Sequence, residues 1–206
     1  AAHFAEYTNT ELTPARVSFE ARGAYKIITP GGEINAVPTG RLLHESDSRG
    51  DLPVVGDWVA AVIAGEKPPR GVIHAVLPRK SLFSRAEPGG RTAVQPIAAN
   101  VDTVFITIGL DGNFSLRRIE RYLALAWESG ASPVVLLTKS DLCPDLGEKL
   151  ALAEGSACGS PVHTLSVPNG DGLDQLDSYL TPGRTVALLG SSGVGKSTLL
   201  NHLLGS

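Results

Sequence analysis

The sequence predicts a small β-barrel followed by an α/β domain with a parallel sheet. Residues 15–77 contain short β-rich runs separated by turn residues, and the glycine pair at positions 31–32 between two of these runs is a hairpin signal. From Asn100 onward, apolar strands alternate with amphipathic helices, which is typical of a parallel sheet covered on both faces. A glycine-rich loop joins a predicted strand at residues 185–189 to a predicted helix at residues 197–204.

The barrel is predicted from the close spacing of its strands. They cover residues 16–20, 24–28, 33–37, 41–44, 57–63 and 71–77. Short strands at this density favour a small closed barrel of the oligonucleotide-binding type within residues 1–77. An SH3-like or other small barrel without a ligand is the alternative.

Residues 78–99 are predicted to form a basic linker because they are rich in turn formers and cations. The cations are Arg79, Lys80, Arg85 and Arg91, and the pair Gly89 and Gly90 lies among them. Two interpretations stay open. The segment is either a flexible basic strip that binds RNA phosphates or a solvated tether between domains.

Residues 100–206 are predicted to form the α/β domain. Its strands are placed at residues 101–109, 133–137, 162–165 and 185–189, with a helix at residues 146–157. Ser115 is placed to cap another helix, whose apolar stripe packs into the core. The stripe consists of Leu116, Ile119, Leu123 and Trp127. On the other side of this helix, Arg117, Arg118 and Arg121 are either solvent exposed or RNA contacts.

The glycine-rich loop matches the phosphate-binding pattern G-x-x-x-x-G-K-[ST]. It consists of Gly190, Ser191, Ser192, Gly193, Val194, Gly195, Lys196, Ser197 and Thr198. Its glycines allow backbone N–H groups to face phosphate oxygens, while the positive helix end and Lys196 offset the anionic charge. Ser197 is placed to hold a magnesium ion, so it is the candidate metal ligand. Lys196 and Ser197 are the candidate catalytic residues.

The base is predicted from a near match to the guanine-reading motif N-K-x-D, which follows the strand at residues 133–137. The match consists of Thr138, Lys139, Ser140 and Asp141. The Asp141 carboxylate can accept two hydrogen bonds from N1–H and the 2-amino group of guanine, which adenine cannot donate. Lys139 would lay its aliphatic stem along the base. An ordinary strand-end turn is the alternative for these four residues taken alone.

One further feature departs from the usual guanine motif and another supports it. Thr138 stands where most GTPases carry Asn, whose amide bonds the base and ties the two loops together. Ser166 and Val167, after the strand at residues 162–165, match the S-A-x segment whose amides reach the guanine oxygen, with Val in place of Ala. The two motifs together favour guanine.

The order of the motifs predicts a circularly permuted GTPase domain. The guanine motifs precede the phosphate loop, whereas in an ordinary GTPase they follow it. Permutation is tolerated where the original termini lie close together and the cut falls in an exposed loop. Because the sequence ends at Ser206, before a switch threonine or a D-x-x-G segment, we expect a truncated domain that is part of a longer protein.

This order, with GSSGVGKST and TKSD as they stand here, resembles the ribosome small subunit-dependent GTPase A family. The resemblance covers the whole chain, with support from GDWV at 56–59, RA at 85–86, ANVD at 99–102 and LLN at 199–201. It implies a bacterial cytoplasmic GTPase that binds the small ribosomal subunit and its rRNA, assists late subunit maturation and is stimulated by the subunit. It also implies GTP, GDP and Mg²⁺ as ligands, and Zn²⁺ in a carboxyl-terminal domain beyond this sequence.

Two other functions stay open. The chain could be a non-hydrolysing, GTP-dependent RNA-binding module, or an ATP-using phosphoryl transferase with the same phosphate loop. The net charge of −3 excludes a bulk polycation, so any RNA contact must be local. Cys143 and Cys158 form no C-x-x-C pair, so neither a zinc site nor a disulfide framework is predicted. We expect a cytoplasmic monomer without a membrane partner.

Overall fold

The structure is a computed structural model that describes residues 4, 7, 10–21, 23–46, 48–65, 68–86 and 94–205. It contains two compact units, Ala1–Asn100 and Val101–Ser206. None of the helices in these described ranges has the length and apolar character needed to cross a membrane.

The first unit contains a closed five-stranded barrel. Its strands are β1 (Thr13–Ala21), β2 (Ala24–Thr29), β3 (Gly32–Pro38), β4 (Trp58–Ala64) and β5 (Arg70–Val76). They close in the order β1-β2-β3-β5-β4, and the β3–β5 pair is parallel while the other pairs are antiparallel. This order confirms the predicted barrel of the oligonucleotide-binding type.

Alternating apolar residues fill the barrel. In β2, Tyr25 and Ile27 point inward while their neighbours are exposed, and Val17, Val59 and Ile73 meet them from the other strands. The period of two along each strand therefore separates the core face from the solvent face, as the sequence pattern predicts.

The strand predicted at residues 41–44 is wrong, because this segment forms helix α1 (Gly40–Glu45) between β3 and β4. The Thr39 hydroxyl accepts a hydrogen bond from the Leu42 backbone N–H at 3.1 Å, so Thr39 caps the helix. Arg41 and Glu45 form an ion pair one turn apart on its exposed face. These local bonds favour the helix over an extended segment.

Part of the segment predicted as a linker is also regular structure. Strands β6 (Leu82–Ala86) and β7 (Val94–Ala99) form an antiparallel pair within the first unit. Gly89, Gly90 and Arg91 lie outside the described residues.

Arg79 is bound inside the first unit. Its guanidinium donates to both carboxylate oxygens of Asp57, at 2.8 and 2.7 Å, and to the carbonyls of Gly50 and Leu52. Asp57 is fully buried and also accepts from the Val54 N–H. The side chain of Arg79 is therefore part of the internal packing and is not available to a solvent-facing basic strip.

The second unit contains a parallel sheet in the order β10-β9-β8-β11. Its strands are β8 (Thr103–Gly109), β9 (Ser132–Thr138), β10 (Val162–Leu165) and β11 (Val186–Leu189). Its helices are α2 (Leu116–Glu128), α3 (Leu146–Ser156) and α4 (Lys196–Leu204), with 3₁₀ turns at Ser140–Leu142 and Leu173–Tyr179. Every residue of β8 is buried, as expected for a central strand covered on both faces.

Helix α2 begins where the sequence predicts but buries a different stripe. Ile119, Leu123 and Ala126 are buried, whereas Trp127 is 46% exposed, so the assignment of Trp127 to the core is wrong. At about 100° per residue, Trp127 lies about 80° around the helix from Ile119, at the edge of the apolar stripe. Ser115 precedes the helix but its side chain makes no capping hydrogen bond.

We predict that Asp57→Ala destabilises the barrel by about 3–5 kcal/mol, because it leaves the Arg79 guanidinium buried without its charge partner. The measurement is urea unfolding of the full protein, followed by Trp58 fluorescence in a Trp127→Phe background.

Lys26→Ala is the control, because the Lys26–Glu33 ion pair is exposed on the same barrel and should contribute nothing measurable. Equal unfolding midpoints for the two variants would contradict the structural role of the Asp57–Arg79 pair.

Candidate nucleotide-binding site

The predicted site segments all follow strands of the parallel sheet. Thr138 ends β9, Ser166 follows β10 and Gly190 follows β11. Because parallel strands end at the same edge of a sheet, the three segments lie together at its carboxyl edge, where α/β proteins bind ligands. The structure therefore brings together the segments that the sequence analysis selected.

Two glycines of the phosphate loop are required by its geometry. A Cβ atom at Gly190 would lie 2.5 Å from the Thr107 carbonyl oxygen of β8, so the loop passes too close to the sheet for any side chain. Gly195 has φ of 94°, in the left-handed region, directly before the first residue of α4. Between these two glycines, Val194 is fully buried.

The basic groups of the loop are the Lys196 ammonium and the start of α4. Lys196 Nζ donates to the carbonyl oxygens of Gly190 and Ser191, at 2.8 and 2.6 Å, so the side chain spans the loop. The N-cap residue of α4 is Gly195, which makes no side-chain capping bond, and Ser197 and Thr198 in the first turn of the helix are exposed. Uncapped amides, a positive helix end and a lysine are the groups that bind phosphate.

The segment predicted to read the base is held by hydrogen bonds at two of its residues. Lys139 adopts φ of 62°, in the left-handed region, and its Nζ donates to Asp111 Oδ2 at 2.5 Å. This hydrogen bond lowers the pKa of the Asp111 carboxyl below its ordinary value. The buried Ser166 hydroxyl donates to Asp141 Oδ1 at 2.7 Å, which orients the carboxylate that the sequence analysis assigned to guanine.

Thr138 joins this segment to the phosphate loop. Its side chain is buried, and its hydroxyl lies 2.6 Å from the Val194 carbonyl oxygen, to which it donates, and 3.3 Å from that of Ile108. The link between the two loops that the sequence analysis attributed to Asn is therefore present here through a hydroxyl group.

A single cleft of about 370 Å³ contains groups from both motifs. It is lined by Lys139, Ser192, Gly193, Gly195, Lys196, Ser197 and Thr198. Its volume lies in the usual range for a small-molecule site. Ser140, Asp141, Ser166 and Val167 are not among its lining residues, although the Ser166 bond ties Asp141 into the same edge of the sheet.

Three residues at this edge were not assigned to the site from the sequence: Asp111, Asn113 and Arg118, the last of which was interpreted as solvent exposed or as an RNA contact. Asp111 follows β8 and pairs with Lys139, and Asn113 donates its backbone N–H to Asp111 Oδ1. The position of Asp111 just after a buried strand is a signal that could have identified it. Arg118 Nη1 donates to the Ser191 side chain at 3.1 Å, a contact for which the sequence contains no signal.

The described residues contain no group of three or more His, Cys, Asp or Glu side chains that could hold a metal ion. Cys143 and Cys158 are both free thiols. The only metal ligand suggested by the sequence is thus Ser197, in combination with nucleotide phosphates.

The parallel sheet, the glycine-rich loop after β11 and the segment from Thr138 to Asp141 after β9 define the class of protein: this is a P-loop GTPase fold in circularly permuted order. Residues 76–206 match the family model described as RsgA GTPase, and the chain belongs to that family.

Known relatives agree with this assignment. The small ribosomal subunit biogenesis GTPase RsgA of Opitutus terrae is 50% identical over 209 residues, covering 98% of this chain and 57% of that protein. The crystal structure of YjeQ from Thermotoga maritima superposes with a TM-score of 0.74 at 27% identity, covering 92% of this chain and 64% of that one. YloQ, described as a circularly permuted GTPase, shares the fold with a TM-score of 0.65 at 22% identity, over 92% of this chain and 63% of that one. The chain thus spans little more than half the length of the curated relative.

We predict that Thr138→Val weakens guanine nucleotide binding about tenfold and lowers the free energy of unfolding by about 1–3 kcal/mol, because the buried Val194 carbonyl loses its hydrogen-bond donor while side-chain volume is nearly kept. Both quantities are measured on the full protein, by titration with fluorescent GDP and by urea unfolding.

Thr138→Ser is the control, because it retains the hydroxyl group and should bind within about threefold of the wild type. Equal affinities for the wild type and Thr138→Val would show that the two loops do not depend on this bond.

Proposed function

We propose that this protein binds GTP and GDP in the cleft between the two motifs and hydrolyses GTP to GDP and phosphate. The observation that carries the proposal is the cleft itself, which has Lys139 of the base motif and Lys196 of the phosphate loop in its walls. Membership of a GTPase family supports the reaction.

The phosphates would be bound by the loop amides, the first turn of α4 and Lys196. Lys196 Nζ now donates to two loop carbonyls, so it can exchange one of these acceptors for a phosphate oxygen without a large movement. Ser197 is exposed and lines the cleft, where its hydroxyl would be a ligand of Mg²⁺, and a bound Mg²⁺ ion would neutralise charge on the β- and γ-phosphates.

The base would be read mainly by Asp141. One carboxylate oxygen is held by Ser166, which leaves the group oriented to accept from N1–H and the 2-amino group of guanine. Lys139 is fixed at its ammonium by Asp111, so its aliphatic stem is available to lie along the base. Val167 would contribute a backbone amide, and Ser140 the turn that directs Asp141 toward the base.

Hydrolysis would proceed by attack of water on the γ-phosphate, with the developing charge stabilised by Lys196 and the loop amides. No residue of this chain is assigned the water-positioning role. We propose that the small ribosomal subunit stimulates the reaction, either by ordering the site or by supplying the missing group.

We propose that the protein acts in late maturation of the small ribosomal subunit through contact with rRNA. The name of the Opitutus terrae relative gives that protein a role in small-subunit biogenesis. The barrel is of a type that binds oligonucleotides. Lys80, near the start of the segment predicted as a basic linker, is exposed and could contact RNA phosphates. We further propose a cytoplasmic monomer, with any Zn²⁺ held by a domain outside this chain.

We predict that the full protein hydrolyses GTP slowly on its own and at least about tenfold faster with purified small ribosomal subunits. We also predict that Lys196→Ala loses both nucleotide binding and GTP turnover, because the substitution removes the main cation that would contact the phosphates. Turnover is measured as released phosphate, with large subunits as the control particle.

The outcomes separate the proposals. Turnover unchanged by small subunits would contradict the stimulated GTPase, and nucleotide binding without any turnover would favour a GTP-dependent RNA-binding module. Unchanged GDP affinity in Lys196→Ala would contradict the assignment of the whole site.

We predict that the wild type prefers GDP to ADP by at least about a hundredfold and that Asp141→Asn shifts the preference toward xanthosine diphosphate. The amide can donate to the xanthine 2-oxo group, whereas it can no longer accept both guanine hydrogen bonds. Affinities come from competition with fluorescent GDP on the full protein.

Asp145→Asn is the matched control, since this exposed carboxylate lies on the same loop and pairs with Lys149. Retained guanine preference in Asp141→Asn would clear Asp141 of base reading. Equal binding of GDP and ADP by the wild type would support the ATP-using alternative.

A further inference from the structure

We propose that Arg118 of α2 is a positioning residue for the phosphate loop: it holds Ser191 in place and thereby slows the release of bound guanine nucleotide. This inference rests on the proposed GTP site. It assigns a role to a residue that the sequence analysis left as one of three surface arginines.

The three arginines at the start of α2 have different environments. Arg117 and Arg121 are exposed, whereas Arg118 is half-buried. Arg118 Nη1 donates to the Asn113 carbonyl and to Ser191 Oγ, both at 3.1 Å. Ser191 is the second residue of the phosphate loop and lies 73 positions away in the chain. The guanidinium therefore connects α2 to the loop through a long-range contact.

Nucleotide binding would remove one of the hydrogen bonds that hold Ser191. Its carbonyl oxygen accepts from Lys196 Nζ at 2.6 Å. When Lys196 turns toward a phosphate, this bond is weakened or lost, and the loop would be free to relax. The bond from Arg118 uses the side chain of Ser191 and does not compete with the nucleotide. It keeps the loop in a binding conformation, which reduces the ordering cost of binding.

Arg118 is itself held by the loop that orients the base lysine. Asn113, which accepts from Arg118, donates its backbone N–H to Asp111 Oδ1 at 3.1 Å, and Asp111 pairs with Lys139. Arg118 is thus fixed from two directions, by the segment after β8 and by the phosphate loop. Because its guanidinium is bonded at both of these points, Arg118 can hold the Ser191 side chain in one position.

The charge of Arg118 acts in the same direction. Within the described part of the chain, Arg118 forms no ion pair with a carboxylate. Its positive charge is therefore not neutralised locally, and it lies within hydrogen-bond distance of the loop that would hold the phosphates. Removal of this cation should raise the dissociation rate of an anionic ligand.

The test is stopped-flow dissociation of fluorescent GDP from the full protein, with the thermal unfolding midpoint measured in parallel. We expect Arg118→Ala and Ser191→Ala each to raise the dissociation rate about fivefold to tenfold. The double variant should be no faster than Arg118→Ala alone, because the two residues act through one bond. Arg118→Lys should lie between the wild type and Arg118→Ala. Arg117→Ala, one position away and exposed, should dissociate within about twofold of the wild type.

Two outcomes would overturn the inference: a wild-type dissociation rate for Arg118→Ala, whether or not its unfolding midpoint is lowered, or effects on the dissociation rate that multiply in the double variant. If Arg118→Ala does not fold, Ser191→Ala and Arg118→Lys still decide, because wild-type rates for both reject the role. Lys196→Ala separates the two levels. If Lys196→Ala binds GDP as tightly as the wild type, the proposed nucleotide site itself is contradicted. If Lys196→Ala loses GDP binding but Arg118→Ala releases GDP at the wild-type rate, only the positioning role of Arg118 is rejected.

Discussion

Parallel pairing of four strands is the constraint on which the rest of the second unit depends. Because β8, β9, β10 and β11 all run in one direction, their carboxyl ends meet at one edge, and the segments that follow them carry the residues of the candidate site. This geometry depends on where strands lie in the sheet and not on their order along the chain. Circular permutation can therefore move the phosphate loop behind the base motif without separating the groups that must meet at one ligand.

At this edge of the sheet, the Thr138 hydroxyl replaces one of the two hydrogen bonds attributed to Asn in most GTPases. It links the two loops but would not bond the base. A hydroxyl has a single O–H donor, and here it is directed to the Val194 carbonyl at 2.6 Å. The link between the loops is retained, but no second donor remains for the base, as an amide would provide. Under the proposed function, base recognition would therefore depend more heavily on Asp141, whose carboxylate accepts a hydrogen bond from the buried Ser166 hydroxyl.

Much of this architecture could be predicted from the sequence because it is encoded locally. Alternation along β2, the buried run of β8 and the spacing of the phosphate loop each require only neighbouring residues. The failures involve information that a local pattern lacks. The cap that turns residues 40–45 into a helix is a single Thr39 hydroxyl, and Trp127 misses the core by a fraction of a helical turn. Contacts such as Arg118 to Ser191 join residues far apart in the chain, which no periodicity reveals.

The positions of the cations in the first unit, and not their number, limit how this unit could contact RNA. Arg79 is bound to Asp57 and two carbonyls, and Arg16 donates to Gly56 and Asn100 while its guanidinium lies 5.5 Å from the Trp58 ring centroid. These cations stabilise the unit and have few donors left for phosphates. An RNA contact by this unit would therefore depend on exposed cations such as Lys80 and on half-exposed aromatic surface. With a net charge of −3, such a contact would gain its selectivity from placement and not from bulk attraction.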